Sequence, residues 1–213
     1  MDQLPNMIYL ASIWVIPIVV AITFHEAAHG FVARLLGDET AWRLGRVSFN
    51  PIKHIDPVGT ILLPGFLLLL HSPFLFGYAK PVPVNFRNLR NPKRDMILVA
   101  AAGPVTNLLL AALSAVAFRH LLNPMVGLQQ QSILAQMALH SVVMNVVLAV
   151  FNLMPILPLD GGRVLTGLLP VRQAIAFSRL EPYGMLLVLM LMATNVIGQV
   201  VGPVVDVFLR VLL

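Results

Sequence analysis

The chain has 213 residues, of which 58% are hydrophobic and only 11% charged, with a mean hydropathy of +0.86. Soluble domains carry roughly one-quarter charged residues, so this composition excludes an ordinary soluble domain and predicts an integral, multi-pass membrane protein. The net charge of +5 does not mark a nucleic-acid binder, because the Lys and Arg residues sit at the ends of apolar segments, where membrane orientation places them.

The length allows about five or six helices in one domain over residues 1–213, with no separate soluble domain. There is no cysteine, so any metal must be held by His and carboxylate side chains. Met1–Asn6 has no basic n-region and no A-x-A site follows the first apolar run, so no cleavable signal peptide is expected.

The first predicted span covers residues 7–36. It contains His25-Glu26-Ala27-Ala28-His29. On a helix, residues four apart leave the same face one turn apart, so His25 and His29 can share one divalent metal, zinc most readily. Glu26 stands beside the first ligand, where a carboxylate can take a proton from an activated water. A chance pair of core histidines is the plain alternative. It is disfavoured because three ionisable groups within five residues of a span are costly without a function. Pro17 should bend this helix before the motif.

Residues 37–57 form a polar connection. Residues 42–49 alternate and could make a short strand. His54 and Asp56 are flanked by prolines and read as turn or cap residues rather than ligands. Residues 58–77 are apolar but broken by Pro64-Gly65 and followed by His71-Ser72-Pro73. A crossing would put two basic loops on opposite sides of the membrane, so a re-entrant hairpin is favoured. Tyr78-Ala79-Lys80-Pro81-Val82-Pro83-Val84-Asn85 is extended and stiffened by proline, which suits a sheet edge.

Two more core spans follow at 95–119 and 132–153. Asp95 should cap or pair at the start of the first, and Gly103-Pro104-Val105-Thr106-Asn107 lies in its first half. His140 reads as a packing or hydrogen-bonding residue. After Asn152, two prolines and two glycines break the helix around Asp160, and such backbone at membrane depth must be buried or line a watery cavity. Arg163 should anchor this loop or a helix end. The C-terminal helices occupy 182–213, with 182–199 as a span and the last apolar stretch short for a full crossing.

With 58–77 re-entrant, Arg34, Arg43, Arg46, Lys53, Lys80, Arg87, Arg90, Lys93, Arg94, Arg163, Arg172 and Arg179 share one side, and only Arg119 and Arg210 lie on the other. The His-Glu motif, Asn107 and the 152–160 break then arrive at one depth, near the cytoplasmic side. A catalytic zinc takes three protein ligands and keeps one position open. Asp160 is the expected third ligand, because the other carboxylates lie in tails, loops or helix ends. An Asp-Gly-Gly turn is its plain alternative.

His25–His29, Gly103–Asn107 and Asn152-Leu153-Met154-Pro155-Ile156-Leu157-Pro158-Leu159-Asp160-Gly161 together resemble the site-2 protease family of intramembrane zinc metalloproteases (peptidase M50). Residues 78–85 resemble a short branch without PDZ or CBS domains. The similarity covers about residues 10–195. It implies a zinc metalloendopeptidase with one Zn2+ held by His25, His29 and Asp160, and Glu26 as catalytic base. It implies that Asn152 and Asn107 bind the substrate backbone or oxyanion; an interhelical hydrogen bond is the alternative for Asn107. It also implies a transmembrane protein substrate such as an anti-sigma factor or a remnant signal peptide, cut in or near its membrane segment, at the bacterial cell membrane. The implied architecture is an all-α polytopic membrane protein, with five to six transmembrane or re-entrant helices and a small membrane-associated β element at 42–49 or 78–85. A metal-binding membrane transporter would fit broken helices too, but no internal repeat is present and Glu26 would be idle. A non-proteolytic homologue that binds membrane proteins is the second rival.

Overall fold

The computed structural model describes residues 3–72 and 76–213. Among the described residues, three helices are long and apolar enough to cross a membrane. They are α1 (Gln3–Leu35), α4 (Pro92–Leu121) and α5 (Ile133–Asn152). At about 1.5 Å per residue, even the 20 residues of α5 reach the roughly 30 Å of a hydrocarbon core. These three pack on one another and form the heart of the molecule. Where α4 meets α5, Ala111 and Ala115 lie in one buried cluster with Val142 and Val146. Small side chains let the two backbones approach, which is how helices associate where lipid is as apolar as the core. Pro17 and Pro104 both sit inside their helices without ending them.

Between α1 and α4 lie α2 (Thr40–Arg43), a 3-10 turn at Pro51–His54, and a π-helical turn at Pro57–Leu62 that runs into α3 (Leu63–Leu69). The π and α parts together span about 20 Å, too short to cross. The chain turns back here. Tyr78 N–H donates to Gly59 O at 3.0 Å, and Thr60 Oγ1 donates to Tyr78 O at 2.9 Å. The start and the end of the apolar segment are therefore neighbours and cannot lie on opposite sides of a bilayer. Pro73, within the expected break, lies outside the described residues. Asp56 caps the π turn by accepting from Val58 N–H and Gly59 N–H, and His54 is buried against Ser48 O, so both are structural.

The expected β element is absent among the described residues. Residues 42–49 begin as the end of α2 and continue as turns and bends, because Trp42 and Arg43 complete a helical turn begun at Thr40. Residues 78–85 are extended but pair with no strand, and we refer to them as the strap. Lys80 N–H bonds His54 O, while Arg46 donates to Lys80 O. These partners hold an extended chain without a ladder.

The count of five to six spanning or re-entrant helices also needs correction: three helices qualify as spans, or four if one bent pair counts as one. That pair is α7 (Val171–Ser178) with α8 (Glu181–Ala193), bent by 64°. The expected span at 182–199 breaks after Ala193. There Thr194 Oγ1 bonds back to Met190 O, and Asn195 takes the left-handed conformation that its short amide tolerates. α9 (Val196–Leu212) follows and packs on α5.

Asp38, just beyond α1, organises the loop side of the fold. Its fully buried carboxylate accepts from Thr40 N–H, Asn88 Nδ2 and Asn85 N–H, the last at 2.7 Å. Burial works to raise its pKa, but the hydrogen bonds from Thr40, Asn88 and Asn85 outweigh it and hold the carboxyl below its ordinary value of 3.8. A depressed carboxylate stabilises the fold fully above its ordinary pKa, and that contribution disappears as pH falls through the lower folded value. Asp38→Asn keeps the shape but removes the charge and turns a donor toward donors. We expect a loss of about 1–3 kcal/mol in thermal or chemical unfolding at neutral pH, and a difference from wild type that shrinks below pH 3.8.

Candidate metal centre

His25 and His29 lie on the face of α1 that meets α4, 7% and 9% exposed. Asp160 is the first residue of α6 (Asp160–Leu168), immediately after the broken stretch that follows α5. The fold brings the three together. His25 Nε2 is 3.1 Å from Asp160 Oδ2, His29 Nε2 is 3.4 Å from Asp160 Oδ1, and the two Nε2 atoms are 3.1 Å apart. Among the described residues this is the group of His, Asp or Glu side chains whose ligand atoms all lie within 4.8 Å of one another.

The chemistry of the donor set tests whether a cation fits. His25 Nδ1 is 2.6 Å from Asn107 Oδ1, and His29 Nδ1 is 2.7 Å from the Val99 carbonyl. Both partners accept, so each Nδ1 carries a proton and Nε2 is the atom each ring turns inward, a lone-pair donor whenever the ring is neutral. Asp160 Oδ2 is buried with no hydrogen-bond donor. Two ring nitrogens and a carboxylate thus converge on one point. A divalent cation satisfies all three, and two imidazoles with one carboxylate form a set that zinc accepts.

Glycine makes room at two places. A Cβ on Gly103 would stand 2.6 Å from the Nε2 atoms of both His25 and His29, so α4 can lie against the ligand rings only with glycine there. At Gly161 a Cβ would strike the Leu153 carbonyl, so the break can fold back on the start of α6 and present Asp160. Arg163 Nη2 then ties α6 to α8 through Glu181 at 2.8 Å, the anchoring role expected of it.

Glu26 does not join the three. Its Oε2 accepts the backbone N–H of Val82 at 2.9 Å. The strap therefore passes beside the His-Glu motif, with Val82 buried there and only 7% exposed. It also packs on Gly30, where a Cβ would meet Val82 Cγ1 at 2.9 Å. Asn107 is fully buried behind His25. Asn152 ends α5, and its Nδ2 donates to Leu148 O at 3.0 Å. His140 bonds Gln136 O and packs edge-on against Trp14, away from the three ligands.

Sequence reasoning left four contributors without a role: Val99 O, the Val82 N–H, Asp38 and the bare Cα of Gly103. The first two are backbone groups, which no residue type announces. Asp38 looked like one more loop carboxylate. Gly103 had a signal, since a glycine inside an apolar helix marks a close approach.

Comparison with known proteins fits this geometry. Residues 120–194 match peptidase family M50. The chain is 38% identical over 196 residues to "Putative zinc metalloprotease YwhC" of Bacillus subtilis (strain 168), covering 90% of this chain and 85% of that protein. The chain belongs to peptidase family M50. Its long apolar helices, together with this family membership, make it an integral membrane protein, with the His-Glu-x-x-His sequence inside a candidate span. "Putative zinc metalloprotease Rip2" of Mycolicibacterium smegmatis is 27% identical over 84% of this chain and 66% of its own length. The Mycobacterium tuberculosis (strain H37Rv) protein of that name is 30% identical over 67% of this chain and 51% of its length. No solved structure matches significantly.

Proposed function

We propose that the chain is an intramembrane zinc metalloprotease of the site-2 type, hydrolysing a peptide bond in or near the transmembrane segment of another membrane protein. The observation that carries this reading is the convergence of His25 Nε2, His29 Nε2 and Asp160, with Glu26 one residue from a ligand and held by the strap. When bound, zinc supplies Lewis acidity that polarises a carbonyl and makes water acidic. His25, His29 and Asp160 hold it. Glu26 takes a proton from the water whose oxygen attacks the scissile carbonyl carbon, then delivers it to the leaving nitrogen as the C–N bond breaks. Asn152, at the end of α5, is the candidate for holding the substrate backbone or oxyanion. For Asn107, its burial and its hydrogen bond to His25 support the interhelical hydrogen-bond alternative over contact with substrate.

A transmembrane helix hides its carbonyls in its own hydrogen bonds and must unwind before it is cut. The extended strap at 78–85 is the natural place to receive it as an added strand. The turn-back of 57–78 supports an orientation with the twelve basic residues on one side, the N-terminus outward and the site near the cytoplasmic face of a bacterial cell membrane. The direct test is cleavage of a co-expressed single-span membrane protein, carried out with zinc and after its removal by a chelator. Cleavage that chelation does not stop would reject the reading.

Val82→Pro gives a sharper test of the strap. Pro81 and Pro83 flank the site, so the extended backbone accepts a third proline, but the N–H that holds Glu26 is lost. We expect cleavage to fall about tenfold, with zinc content unchanged. Unaltered turnover would show that this hydrogen bond plays no part.

A further inference from the structure

A polar chain runs from His25 away from the metal centre, through α4 and into α5. Asn107 Nδ2 donates to Asn145 Oδ1 at 2.8 Å and to Ala21 O at 3.2 Å. Asn145 Nδ2 donates to Ser141 O at 2.9 Å and Ser141 Oγ at 3.2 Å, and Ser141 Oγ meets Ser114 Oγ at 2.7 Å. Asn107 and Asn145 are 0% and 1% exposed.

The direction of this chain is fixed. The Ser141 backbone carbonyl can only accept, so it selects the nitrogen of Asn145 and turns Oδ1 toward Asn107. The Ala21 carbonyl likewise selects the nitrogen of Asn107 and turns its Oδ1 toward His25. His25 Nδ1 must then donate, so Nε2 is the nitrogen left to face the metal side. His29 reaches the same state with no side-chain help, because its Nδ1 meets a backbone carbonyl directly. The two ligands are thus fixed by different means, and only His25 depends on side chains from two other helices.

We propose that Asn145 is a positioning residue for the metal centre: acting through Asn107, it fixes the tautomer and ring angle of His25. It couples the α4–α5 packing to the affinity of the site for zinc. Partners one shell beyond metal ligands commonly set metal affinity in this way. The inference rests on the zinc-site reading of His25, His29 and Asp160, and deepens it.

The test measures zinc affinity by chelator competition on the purified full chain in detergent, with no substrate present. Asn145→Leu keeps the branched shape, though it is bulkier, and removes the acceptor; we expect zinc to bind about tenfold more weakly, with a changed visible spectrum for the cobalt-loaded protein. Ser114→Ala breaks the far end of the chain and loosens the same helix pair; its zinc affinity and cobalt spectrum should match wild type. Asn145→Ser, whose hydroxyl is too short to reach Asn107, repeats the test should the leucine variant fold poorly. Wild-type affinity in both Asn145 variants would overturn the proposal. So would an equal loss in Ser114→Ala, since the effect would then be one of helix packing alone. Failure of the zinc-site reading looks different: His25→Ala would bind zinc as wild type does.

Discussion

Glu26→Gln is expected to lower cleavage by roughly 10²–10⁴-fold, the usual contribution of a positioned general base, and to leave one zinc per chain. The side chain keeps its length and shape. Its amide oxygen can still accept the Val82 N–H that now bonds Oε2, so the strap has no reason to move. Its neighbour His25 keeps its hydrogen bond to Asn107. What disappears is the capacity to accept a proton and hand it on. Two measurements check this: metal content of the purified variant, and accumulation of an uncut single-span substrate beside it. Cleavage that survives would reject the protease reading. A variant that loses both zinc and activity would mean that Glu26 is structural.

Gly103→Ala should be as damaging, for a different reason. Helix propensity alone favours alanine over glycine in α4 by roughly 0.5–1 kcal/mol. The new Cβ, however, would lie 2.5 Å from His25 Cε1 and 2.6 Å from both Nε2 atoms. Real contacts do not come so close, so something must yield. The rings cannot easily retreat, because the far nitrogen of each is held, by Asn107 and by Val99 O. The clash falls on the metal face of the site and should outweigh the gain in propensity there. We expect zinc affinity to fall by at least the 10–100-fold typical of a disturbed ligand shell, with helical circular dichroism retained. Zinc bound at wild-type strength would show that α4 can shift away from α1 at no cost.

The spans were legible because hydrophobic length is a one-dimensional property. Residues 95–119 and 132–153 became α4 and α5 with ends displaced by one to three residues. The His25–His29 pairing was legible because a helix places residues four apart on one face whatever surrounds it. The expected strands failed at 42–49 because alternation over a few residues cannot outweigh a helical turn already begun at Thr40. They failed at 78–85 because its partners are a carboxylate, an arginine and single carbonyls rather than another strand. The break at Thr194-Asn195 was missed because both residues are compatible with an apolar helix until their side chains find backbone partners.

The metal centre divides along the same line. The sequence alone determined which side chains could hold the ion, since His25, His29 and Asp160 follow from residue type, spacing and the cost of charge in a membrane. Only the tertiary structure decided which nitrogen of each ring faces the site. That depends on Val99 O, Asn107 and Asn145, which come from other helices and from backbone atoms common to every residue. It also decided that the 57–78 segment turns back and that the strap reaches Glu26. Such contacts join positions tens of residues apart, and a hydrogen bond across that distance leaves no periodic trace in the chain.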